Sequence, residues 1–304
     1  MEKFEIHILG CGSALPTTRH NPSAQVVNIR EKLYMIDCGE GTQMQLRHAK
    51  LKFSRLNHIF ISHLHGDHCF GLIGLISTFD LLGRTATLHI HAPQQLEQLM
   101  TPWLNFFCQH IGYEVKFHPF DTRKSCIIHE DRSMSVTTLP LKHRVPCAGF
   151  IFDEKPTPDH LIREMIDRHQ IPTYELNRIK NGGDYQTPEG ETIPHDRLTT
   201  PARPPRRYVY CSDTTFLPEN QPLIKNADLL FHEATFASDN EARCNETYHS
   251  TARQAATMAK ESHAKQLIIG HFSARYEDET PLLNEAKEVF TNTLLAHELM
   301  KISL

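Results

Sequence analysis

Residues that can bind metal ions crowd into one short segment of the chain. Within six residues stand three imidazoles, one carboxylate and a glycine, in the order His63-Leu64-His65-Gly66-Asp67-His68. Side chains two positions apart on an extended segment project the same way, so His63 and His65 can share one ion, and the glycine lets the backbone turn Asp67 and His68 towards a second. The chain holds 21 histidines in 304 residues, so chance is the competing explanation. The density of donors nevertheless predicts a loop that serves two metal ions.

This 63–68 segment lies between a predicted strand and a predicted helix. Residues 58–62 are apolar and rich in strand formers, and apolar side chains recur at helical spacing after the segment. The helical positions are Leu72, Leu75, Ile76, Phe79 and Leu82. The ligands therefore sit on a strand-to-helix loop at the end of a sheet.

The rest of the chain alternates predicted strands and helices in two halves. Strands are predicted over residues 4–8, 25–29, 33–36, 87–91, 114–117, 135–141, 149–152, 207–210, 228–231 and 266–270. Helices are predicted over 94–104, 159–169 and 251–262, and from 280 onward. Candidate ligands follow strands in both halves, with Asp37 in the first and Asp213, His232 and His271 in the second. We expect these strand ends to converge on one edge.

Residues 153–207 have a different composition. They hold eight prolines and few large apolar side chains outside the predicted helix. Their charges nearly cancel, although basic residues gather late, at Arg197, Arg203, Arg206 and Arg207. Such a segment is typical of surface loops, so we expect a protruding arm without a packed core.

Composition narrows the class of protein. The length suits one large domain or two small ones, and the formal net charge of -4 provides no global attraction to nucleic acid. The eight cysteines are scattered without a Cys-x-x-Cys pair, which favours reduced thiols. The N-terminus is acidic where a signal peptide would be basic, and no window approaches a membrane span. We expect a soluble cytoplasmic protein with no membrane association.

Two metal ions need more donors than the 63–68 segment provides. Two divalent ions take about seven or eight donor bonds, and zinc prefers imidazole nitrogen and carboxylate oxygen. The missing donors are expected from a histidine on a loop after a strand, a carboxylate able to bridge and a late histidine. The expected ligand sets are His63, His65, His143 and Asp213 for one ion, and Asp67, His68, Asp213 and His271 for the other.

Other residues near strand ends have competing interpretations. Asp37 follows a strand, where an acid is commonly a turn former, but a carboxylate also commonly accepts a hydrogen bond from a metal-bound histidine. Asp37 can serve both roles. His89 and His91 imitate a ligand pair, yet Ala92-Pro93 follows without a carboxylate. We therefore interpret these two histidines as structural.

The ordered set of Asp37, the 63–68 segment, His143, Asp213 and His271 resembles the ligand pattern of the metallo-β-lactamase superfamily. Three further stretches resemble signatures of its ribonuclease Z branch, endonucleases that trim the 3′ end of precursor transfer RNA. They are His232-Glu233-Ala234-Thr235-Phe236, Tyr248-His249-Ser250-Thr251 and Gly270-His271-Phe272-Ser273-Ala274-Arg275-Tyr276. The resemblance spans residues 4 to about 303.

The resemblance implies an α/β fold, the four-layer αββα sandwich, formed by a single metallo-β-lactamase-like domain over residues 1–304. Residues 153–205 occupy the place of an inserted arm that binds transfer RNA outside the active site. The Gly-Pro-containing stretch expected of such arms is replaced by Ile171-Pro172-Thr173-Tyr174-Glu175. The family also implies a homodimer.

The chemistry implied is that of a zinc-dependent endoribonuclease. It would hold two Zn²⁺ per chain, with Mn²⁺ or another divalent ion as the alternative, and remove the 3′ trailer of precursor tRNA. Asp67 is the candidate base for water, and His249, oriented by Glu233, is the candidate acid for the leaving 3′-oxygen. The products would be a tRNA 3′-hydroxyl and a trailer 5′-phosphate. Arg275 either contacts a phosphate or forms a structural ion pair.

Two other functions fit the same residues. One is two-metal hydrolysis of a small phosphodiester or sulfate ester, which would survive deletion of residues 153–205 when cleavage of precursor tRNA does not. The other is an RNA-binding subunit without catalysis. Competent residue types at every metal-binding and base position, together with His249 and Glu233, argue against that second alternative.

Overall fold

Two seven-stranded sheets carry most of the regular structure in this computed structural model, which describes residues 2–304. The chain divides into two compact units. The main unit combines the residues up to Asp153 with Arg206–Leu304, and the insert is Glu154–Pro205. Both large sheets belong to the main unit.

Sheet 1 joins antiparallel strands on one side to parallel strands on the other. Its strands are β1 Phe4–Gly10, β2 Ala24–Ile29, β3 Lys32–Ile36, β4 Leu56–Phe60, β5 Leu88–Pro93, β6 Val115–Phe120 and β18 Lys301–Ser303. The order across the sheet is β18-β1-β2-β3-β4-β5-β6, and the pairs from β3 to β6 are parallel. Asp37 and the 63–68 segment therefore follow two adjacent parallel strands.

Sheet 2 has the same mixed character. Its strands are β7 Ile127–Glu130, β8 Met134–Leu141, β9 Cys147–Glu154, β14 Arg207–Cys211, β15 Leu229–Glu233, β16 Leu267–Gly270 and β17 Thr293–Leu295. The order is β17-β16-β15-β14-β9-β8-β7, and the pairs from β14 to β17 are parallel. Asp213, Glu233 and His271 thus lie at the ends of three adjacent parallel strands.

Eleven helices accompany the strands of the described chain. They are α1 Thr42–His48, α2 Gly66–Cys69, α3 Leu72–Leu81, α4 Gln95–Phe107, α5 Arg163–Arg168, α6 Leu176–Lys180, α7 His195–Leu198, α8 Gln221–Ile224, α9 Glu241–Thr247, α10 Ala252–Glu261 and α11 Thr280–Val289. Over residues 2–304, none of them combines the length and the apolar character that crossing a membrane requires.

The two large sheets pack face to face around a shared core. Because strand side chains alternate between faces, Ile6 of sheet 1 and Phe150 of sheet 2 both belong to this core, while Met35 and Leu75 belong to a second core on the helix side of sheet 1. Helices α3 and α4 cover that side, and α10 and α11 cover the outer face of sheet 2. The layers run helix, sheet, sheet, helix, which confirms the predicted αββα sandwich.

The insert has a small hydrophobic core of its own, so the expectation of an arm without a packed core was wrong. The core consists of Ile171, Ile179, Tyr185, Ile193 and Leu198. Two short antiparallel pairs frame it, β10 His160–Leu161 with β13 Thr199–Thr200 and β11 Tyr185–Gln186 with β12 Thr192–Ile193. These apolar residues are spread over several short elements, which leave no periodic pattern in the sequence.

Strand prediction succeeded where alternation was clear and missed several short strands, among them β7, β17 and β18. All the predicted strands are present, with small shifts at their ends. The helix predicted over 159–169 is shorter, since β10 precedes α5. Strand β18 was not predicted because it has only three residues and is held by antiparallel pairing with β1 at the other end of the chain.

Candidate metal centre

Each of the seven predicted ligands lies on a loop or short helix that follows a strand. His63, His65, Asp67 and His68 follow β4, His143 follows β8, Asp213 follows β14 and His271 follows β16. The structure brings all seven together in two groups, each with ligand atoms within 4.8 Å of one another. The groups are His63, His65, His143 and Asp213, and Asp67, His68 and His271.

Two residues at this edge have a left-handed backbone, which non-glycine residues rarely adopt. Asp37 has φ of 55° directly after β3, and His271 has φ of 61° directly after β16. Such a conformation costs about 1–3 kcal/mol and persists where surrounding contacts hold it. It turns the chain sharply at the strand end, so that both side chains reach the metal-binding residues.

The first group is defined by three converging ring nitrogens. Nδ1 of His65 lies 3.0 Å from Nε2 of His63 and 3.2 Å from Nε2 of His143. Oδ2 of Asp213 lies 3.6 Å from Nε2 of His63 and 3.7 Å from Nε2 of His143. Two ligands on one tetrahedral zinc ion, each about 2.0–2.2 Å from it, stand about 3.3 Å apart. The four atoms therefore have spacings close to those that one cation requires.

The second group uses the other oxygen of the same aspartate. Oδ1 of Asp213 lies 3.2 Å from Nε2 of His271 and 3.5 Å from Nε2 of His68. Oδ2 of Asp67 lies 3.3 Å from Nε2 of His68 and 3.5 Å from Nε2 of His271. Asp213 thus directs one oxygen to each group, which is the arrangement of a bridging carboxylate.

Buried polar atoms without a hydrogen bond make this second group a candidate metal site. In the part of the chain that the structure describes, four such atoms meet here: Oδ2 of Asp67, Nε2 of His68, Oδ1 of Asp213 and Nε2 of His271. An unsatisfied buried polar group costs about 1–3 kcal/mol, and such groups are uncommon in folded proteins. A divalent cation satisfies all four at once, so the residues present fit a metal centre.

Hydrogen bonds at the opposite ring nitrogen orient four of these histidines. Nδ1–H donates from His68 to Asp37 at 2.8 Å, from His143 to the carbonyl of Tyr248 at 2.9 Å, from His271 to Oγ1 of Thr235 at 3.0 Å and from His63 to Oγ of Ser62 at 3.0 Å. Each bond engages Nδ1 and leaves Nε2 facing the ligand group. That nitrogen is then available as a metal ligand.

Asp37 holds the strand ends together behind the metal-binding histidines. It is fully buried. Its carboxylate accepts from Nδ1–H of His68, from the N–H of Ser62 at 2.7 Å, from the O–H of Ser62 at 2.9 Å and from the O–H of Tyr210 at 2.8 Å. Sequence reasoning missed Ser62 and Tyr210. A tyrosine hydroxyl near the end of an otherwise apolar strand was the available signal.

Burial and neighbouring charges set the protonation of the cluster before metal binds. Burial lowers the pKa of His63 well below its ordinary value, and the charge of His68 lowers it further. Burial would also lower the pKa of His68, but Asp67 and Asp213 raise it well above the ordinary value. At neutral pH the imidazole of His63 is therefore uncharged, whereas His68 is an imidazolium with a proton on both ring nitrogens. A metal ion has to displace one of these protons.

Glu233 fixes the position of His249 beside the metal-binding residues. The carboxylate is fully buried. Oε1 accepts from Nδ1–H of His249 at 2.9 Å and from the backbone N–H groups of Thr214 at 3.1 Å and Ser250 at 3.0 Å. Oε2 accepts from the N–H and O–H groups of Thr235, at 3.0 and 2.8 Å. The Thr235 hydroxyl thus links Glu233 to His271.

The ring of His249 lies among the metal-binding residues. Burial by itself would lower its pKa, but Glu233, Asp213 and Asp67 raise it to about 9. Its ligand atom also lies within 4.8 Å of those of Asp213 and His271. Geometry alone therefore allows two roles for His249, as a proton donor or as a further ligand.

A cleft of about 960 Å³ lies over the cluster. His65, Asp67, His143, Asp213, His249 and His271 line it. Three arginines also line it: Arg144, Arg243 and Arg275. The guanidinium of Arg275 donates to Oδ1 of Asn240 at 2.8 Å and lies 4.8 Å from the ring centre of Phe236. Arg144 and Arg243 were not singled out in the sequence, where an isolated arginine carries no distinguishing pattern.

His232, considered in the sequence as a candidate ligand, joins neither group of ligands. It is buried, and its Nδ1–H donates to the carbonyl of Glu233 at 2.7 Å. Successive side chains along β15 point to opposite faces of the sheet, so the side chain of His232 points away from that of Glu233.

Comparison with known proteins identifies the family to which the chain belongs. A family model described as anti-Pycsar protein Apyc1 matches residues 4–156, and one described as a beta-lactamase superfamily domain matches residues 198–272. Ribonuclease Z of Bacteroides fragilis is 67% identical over 304 residues, which are 100% of both chains. Ribonuclease Z of Porphyromonas gingivalis is 54% identical over 304 residues, again 100% of both chains.

Solved structures agree with this result. The short form of human tRNase Z has a TM-score of 0.73 at 26% identity and covers 98% of each chain. The metallo-beta-lactamase fold protein YhfI from Bacillus subtilis has a TM-score of 0.70 at 18% identity, covering 99% of this chain and 100% of its own, which shows the fold alone. With full-length identity of this order, the chain belongs to the ribonuclease Z family and is a nuclease built on the metallo-β-lactamase fold.

Proposed function

We propose that the protein is a metal-dependent endoribonuclease that removes the 3′ trailer from precursor tRNA. The full-length identity of 67% to a ribonuclease Z carries this proposal. The paired ligand groups and the Glu233–His249 pair support it, because they supply the parts that hydrolysis of a phosphodiester needs. The reaction would leave a 3′-hydroxyl on the tRNA and a 5′-phosphate on the trailer.

Two zinc ions per chain are proposed, one for each ligand group. His63, His65, His143 and Asp213 would hold one, and Asp67, His68, Asp213 and His271 the other, with Mn²⁺ as the alternative metal. When bound, the cations make water more acidic and neutralise charge on the phosphate oxygens. Asp37 would keep Nε2 of His68 aimed at its ion through the bond to Nδ1.

Asp67 is proposed as the base that accepts the proton of the attacking water. Burial would raise the pKa of Asp67, but His68 and His271 lower it below the ordinary range. The carboxylate therefore stays ionised at neutral pH and can orient water towards phosphorus. As the new P–O bond forms, the proton of that water passes to Asp67.

His249 is proposed as the acid that protonates the leaving 3′-oxygen. The bond from its Nδ1–H to Glu233 leaves Nε2 to carry the transferable proton. Cations on Asp67 and Asp213 would offset the effect of those carboxylates on the pKa of His249, whereas Glu233 would remain. The P–O3′ bond breaks as the proton moves from Nε2 to oxygen, a transfer worth about 10²–10⁴ in rate.

The arginines of the cleft are proposed contacts for RNA phosphates. Arg144, Arg243 and Arg275 line the same cleft as Asp67 and His249. Each guanidinium can contact phosphates on either side of the cleaved bond. This local positive charge matters because the formal net charge of the chain is -4.

The insert is proposed as the region that binds tRNA away from the cleavage site. Only part of the basic cluster noted in the sequence remains available for that role. Arg206 is buried and donates to the carbonyl of Leu304 at 2.9 Å, and Arg207 pairs with Asp153 at 2.6 Å. Arg197 and Arg203 are exposed and belong to the insert.

A homodimer in the cytoplasm is proposed as the working form. Exposed apolar side chains at the end of α3 and along α4 support a second copy as partner, because such residues are usually covered. They are Leu81, Leu82, Leu99, Trp103, Phe106 and Phe107. Replacing Trp103 and Phe106 by Glu should shift the protein to monomer in sedimentation velocity, while replacing exposed Tyr174 of the insert should not.

The test is cleavage of a 3′-extended precursor tRNA by purified protein, with and without added Zn²⁺ or Mn²⁺, mapped to the nucleotide. A metal-dependent cut after the discriminator base that leaves a 3′-hydroxyl is expected. Turnover of a small chromogenic phosphodiester without any cut in the RNA would contradict the proposal and favour a small-substrate hydrolase.

A deletion of the insert distinguishes its role in tRNA binding from the hydrolysis catalysed at the metal centre. Asp153 and Arg207 are paired across β9 and β14, so a short glycine-containing turn can replace residues 154–205. The variant should lose cleavage of precursor tRNA and keep turnover of the small diester. Undiminished RNA cleavage would show that the insert is not the tRNA-binding region.

A further inference from the structure

Five histidines outside the candidate metal centre gather between strands β4 to β6 of sheet 1 and strand β7 of sheet 2. His58 lies on β4, His89 and His91 on β5, His118 on β6 and His129 on β7 of sheet 2. We call them the histidine cluster. The ring of His129 lies 4.1 Å from that of His58 and 5.7 Å from that of His91, centre to centre, so the cluster joins sheet 1 to sheet 2.

Three members of the cluster have the geometry of metal ligands. The ligand atoms of His58, His91 and His129 lie within 4.8 Å of one another. We propose that these three side chains form a separate structural site for one divalent cation of the kind that prefers imidazole, such as zinc. Calcium and magnesium prefer oxygen donors and would not occupy it.

The spacing and the unsatisfied atoms of the trio support a cation over hydrogen bonding alone. Nδ1 of His58 lies 3.3 Å from Nε2 of His91. That is the separation of about 3.3 Å expected of two nitrogens that share a tetrahedral zinc ion. A hydrogen bond would also explain this pair, but Nε2 of His129 is buried and has no hydrogen-bond partner within residues 2–304. A cation bound by this nitrogen would account for both observations.

The rings are in the protonation state that metal binding requires. Burial, and after it the neighbouring histidines, lowers the pKa of His58 to about 3 and that of His91 to about 2. Burial also lowers the pKa of His129, against the attraction of Asp131. At neutral pH all three imidazoles are uncharged, so a metal ion displaces no proton from them.

The site would add a further link between the two sheets at this edge, where Tyr34 of β3 already donates to Asp131 beside β7 at 2.9 Å. Strand β7 is the outermost strand of sheet 2 and has only β8 as a neighbour. A cation held by His58 and His91 from sheet 1 and by His129 from sheet 2 would tie this strand to the opposite sheet. His58 and His129 are only partly buried, which leaves room for water as the fourth ligand.

The test compares zinc content in variants that share an intact candidate metal centre. His129→Gln removes one ligand from an edge strand, and His118→Gln is the matched control, since His118 stacks on His91 at 4.7 Å but lies outside the trio. After dialysis of each purified protein against zinc and then metal-free buffer, elemental analysis should find one zinc fewer per chain in His129→Gln than in the wild type and His118→Gln. Equal zinc content in all three proteins would overturn the proposal.

Crystals of the unmutated protein provide a second measurement that does not depend on folding of a variant. Data collected above and below the zinc absorption edge should show an anomalous peak between the rings of His58, His91 and His129. Absence of that peak in zinc-soaked crystals would equally overturn the proposal. Neither measurement uses RNA cleavage, so its outcome is independent of the proposed nuclease function.

Discussion

Nδ1 of His249 lies 2.9 Å from Oε1 of Glu233, a carboxylate that also accepts three backbone N–H groups. Burial would lower the pKa of His249, and Glu233 is the first of the charges that raise it to about 9. The pair therefore keeps an imidazolium in a buried place next to the metal ligands. Two consequences for activity can be measured.

The first prediction concerns Glu233→Gln. Without the negative charge the pKa of His249 falls, so a smaller fraction of the enzyme holds the proton needed by the leaving oxygen. The alkaline decline of kcat should begin at lower pH in the variant than in the wild type, and kcat at neutral pH should fall by about 10²–10⁴. Single-turnover cleavage of precursor tRNA across pH 6–10 measures both. An unchanged alkaline limb would remove Glu233 from this role.

The second prediction separates ligands from the proton donor. His65→Ala should lose bound metal and RNA cleavage together, because His65 supplies a nitrogen to the first ligand group. His249→Ala should keep its metal and lose most turnover. Elemental analysis of both variants, with circular dichroism as the control for folding, makes the comparison. Loss of one metal ion from His249→Ala would instead place that histidine among the ligands, as its position beside Asp213 and His271 also allows.

The third prediction tests the bond between Asp37 and His68. In Asp37→Asn the amide is a weaker acceptor for Nδ1–H of His68, so the ring loses part of its orientation and basicity. Zinc affinity should fall by about 10–100-fold. Competition with a chromogenic chelator measures it. Tyr210→Phe is the matched control, since it removes only one donor to Asp37 and should weaken zinc binding much less. Equal affinities in Asp37→Asn and the wild type would contradict this account.

The fourth prediction uses the pH dependence of stability. His58 has a pKa of about 3 in the folded protein, below its ordinary value of 6.5, chiefly because of burial. The unfolded chain therefore binds the proton more tightly, and the free energy of unfolding falls as pH decreases from 6.5 towards 3. Phe in place of His58 removes this contribution and fits a position stacked between Tyr34 and Phe60.

Urea unfolding at pH 7 and pH 5 in the presence of a chelator measures the effect. The wild type should lose about 1–2 kcal/mol more stability than His58→Phe between the two pH values. His263→Phe, at an exposed turn after α10, provides a control that leaves the cluster unchanged. Equal losses in the wild type and His58→Phe would show that His58 does not titrate on unfolding.

Much of the candidate site could be predicted because its donors are close in sequence or stand at strand ends. Four ligands fall in the 63–68 segment, and local alternation was enough to place Asp213 and His271 after strands. The start of α10, predicted at residue 251, was equally local, since Thr251 and Gln254 form a capping box there. A hydrophobic period of 2 residues predicts a strand and one of 3.6 residues predicts a helix, so the positions of these elements can be inferred from the local sequence.

Tertiary structure decided what depends on register and on packing between sheets. Asp37 meets Tyr210 across 173 residues, and Asp213 divides its two oxygens between ligand groups from different strands. No local pattern encodes these distances, because they follow from which strands pair and how the two sheets stack.

The histidine cluster and the core of the insert both depend on residues that are distant in sequence. His91 was interpreted as structural because Ala92-Pro93 follows it without a carboxylate, whereas pairing of β4 with β5 and packing of β7 bring His58 and His129 close to it. The insert, expected to lack a core, buries Ile179 and Leu198 from separate short helices. The sequence by itself determined the donors and the alternation of strands and helices, since both rest on local chemistry and periodicity, whereas the αββα layering was expected from the family resemblance. Only the folded chain decided which distant side chains share a site, since that depends on long-range pairing.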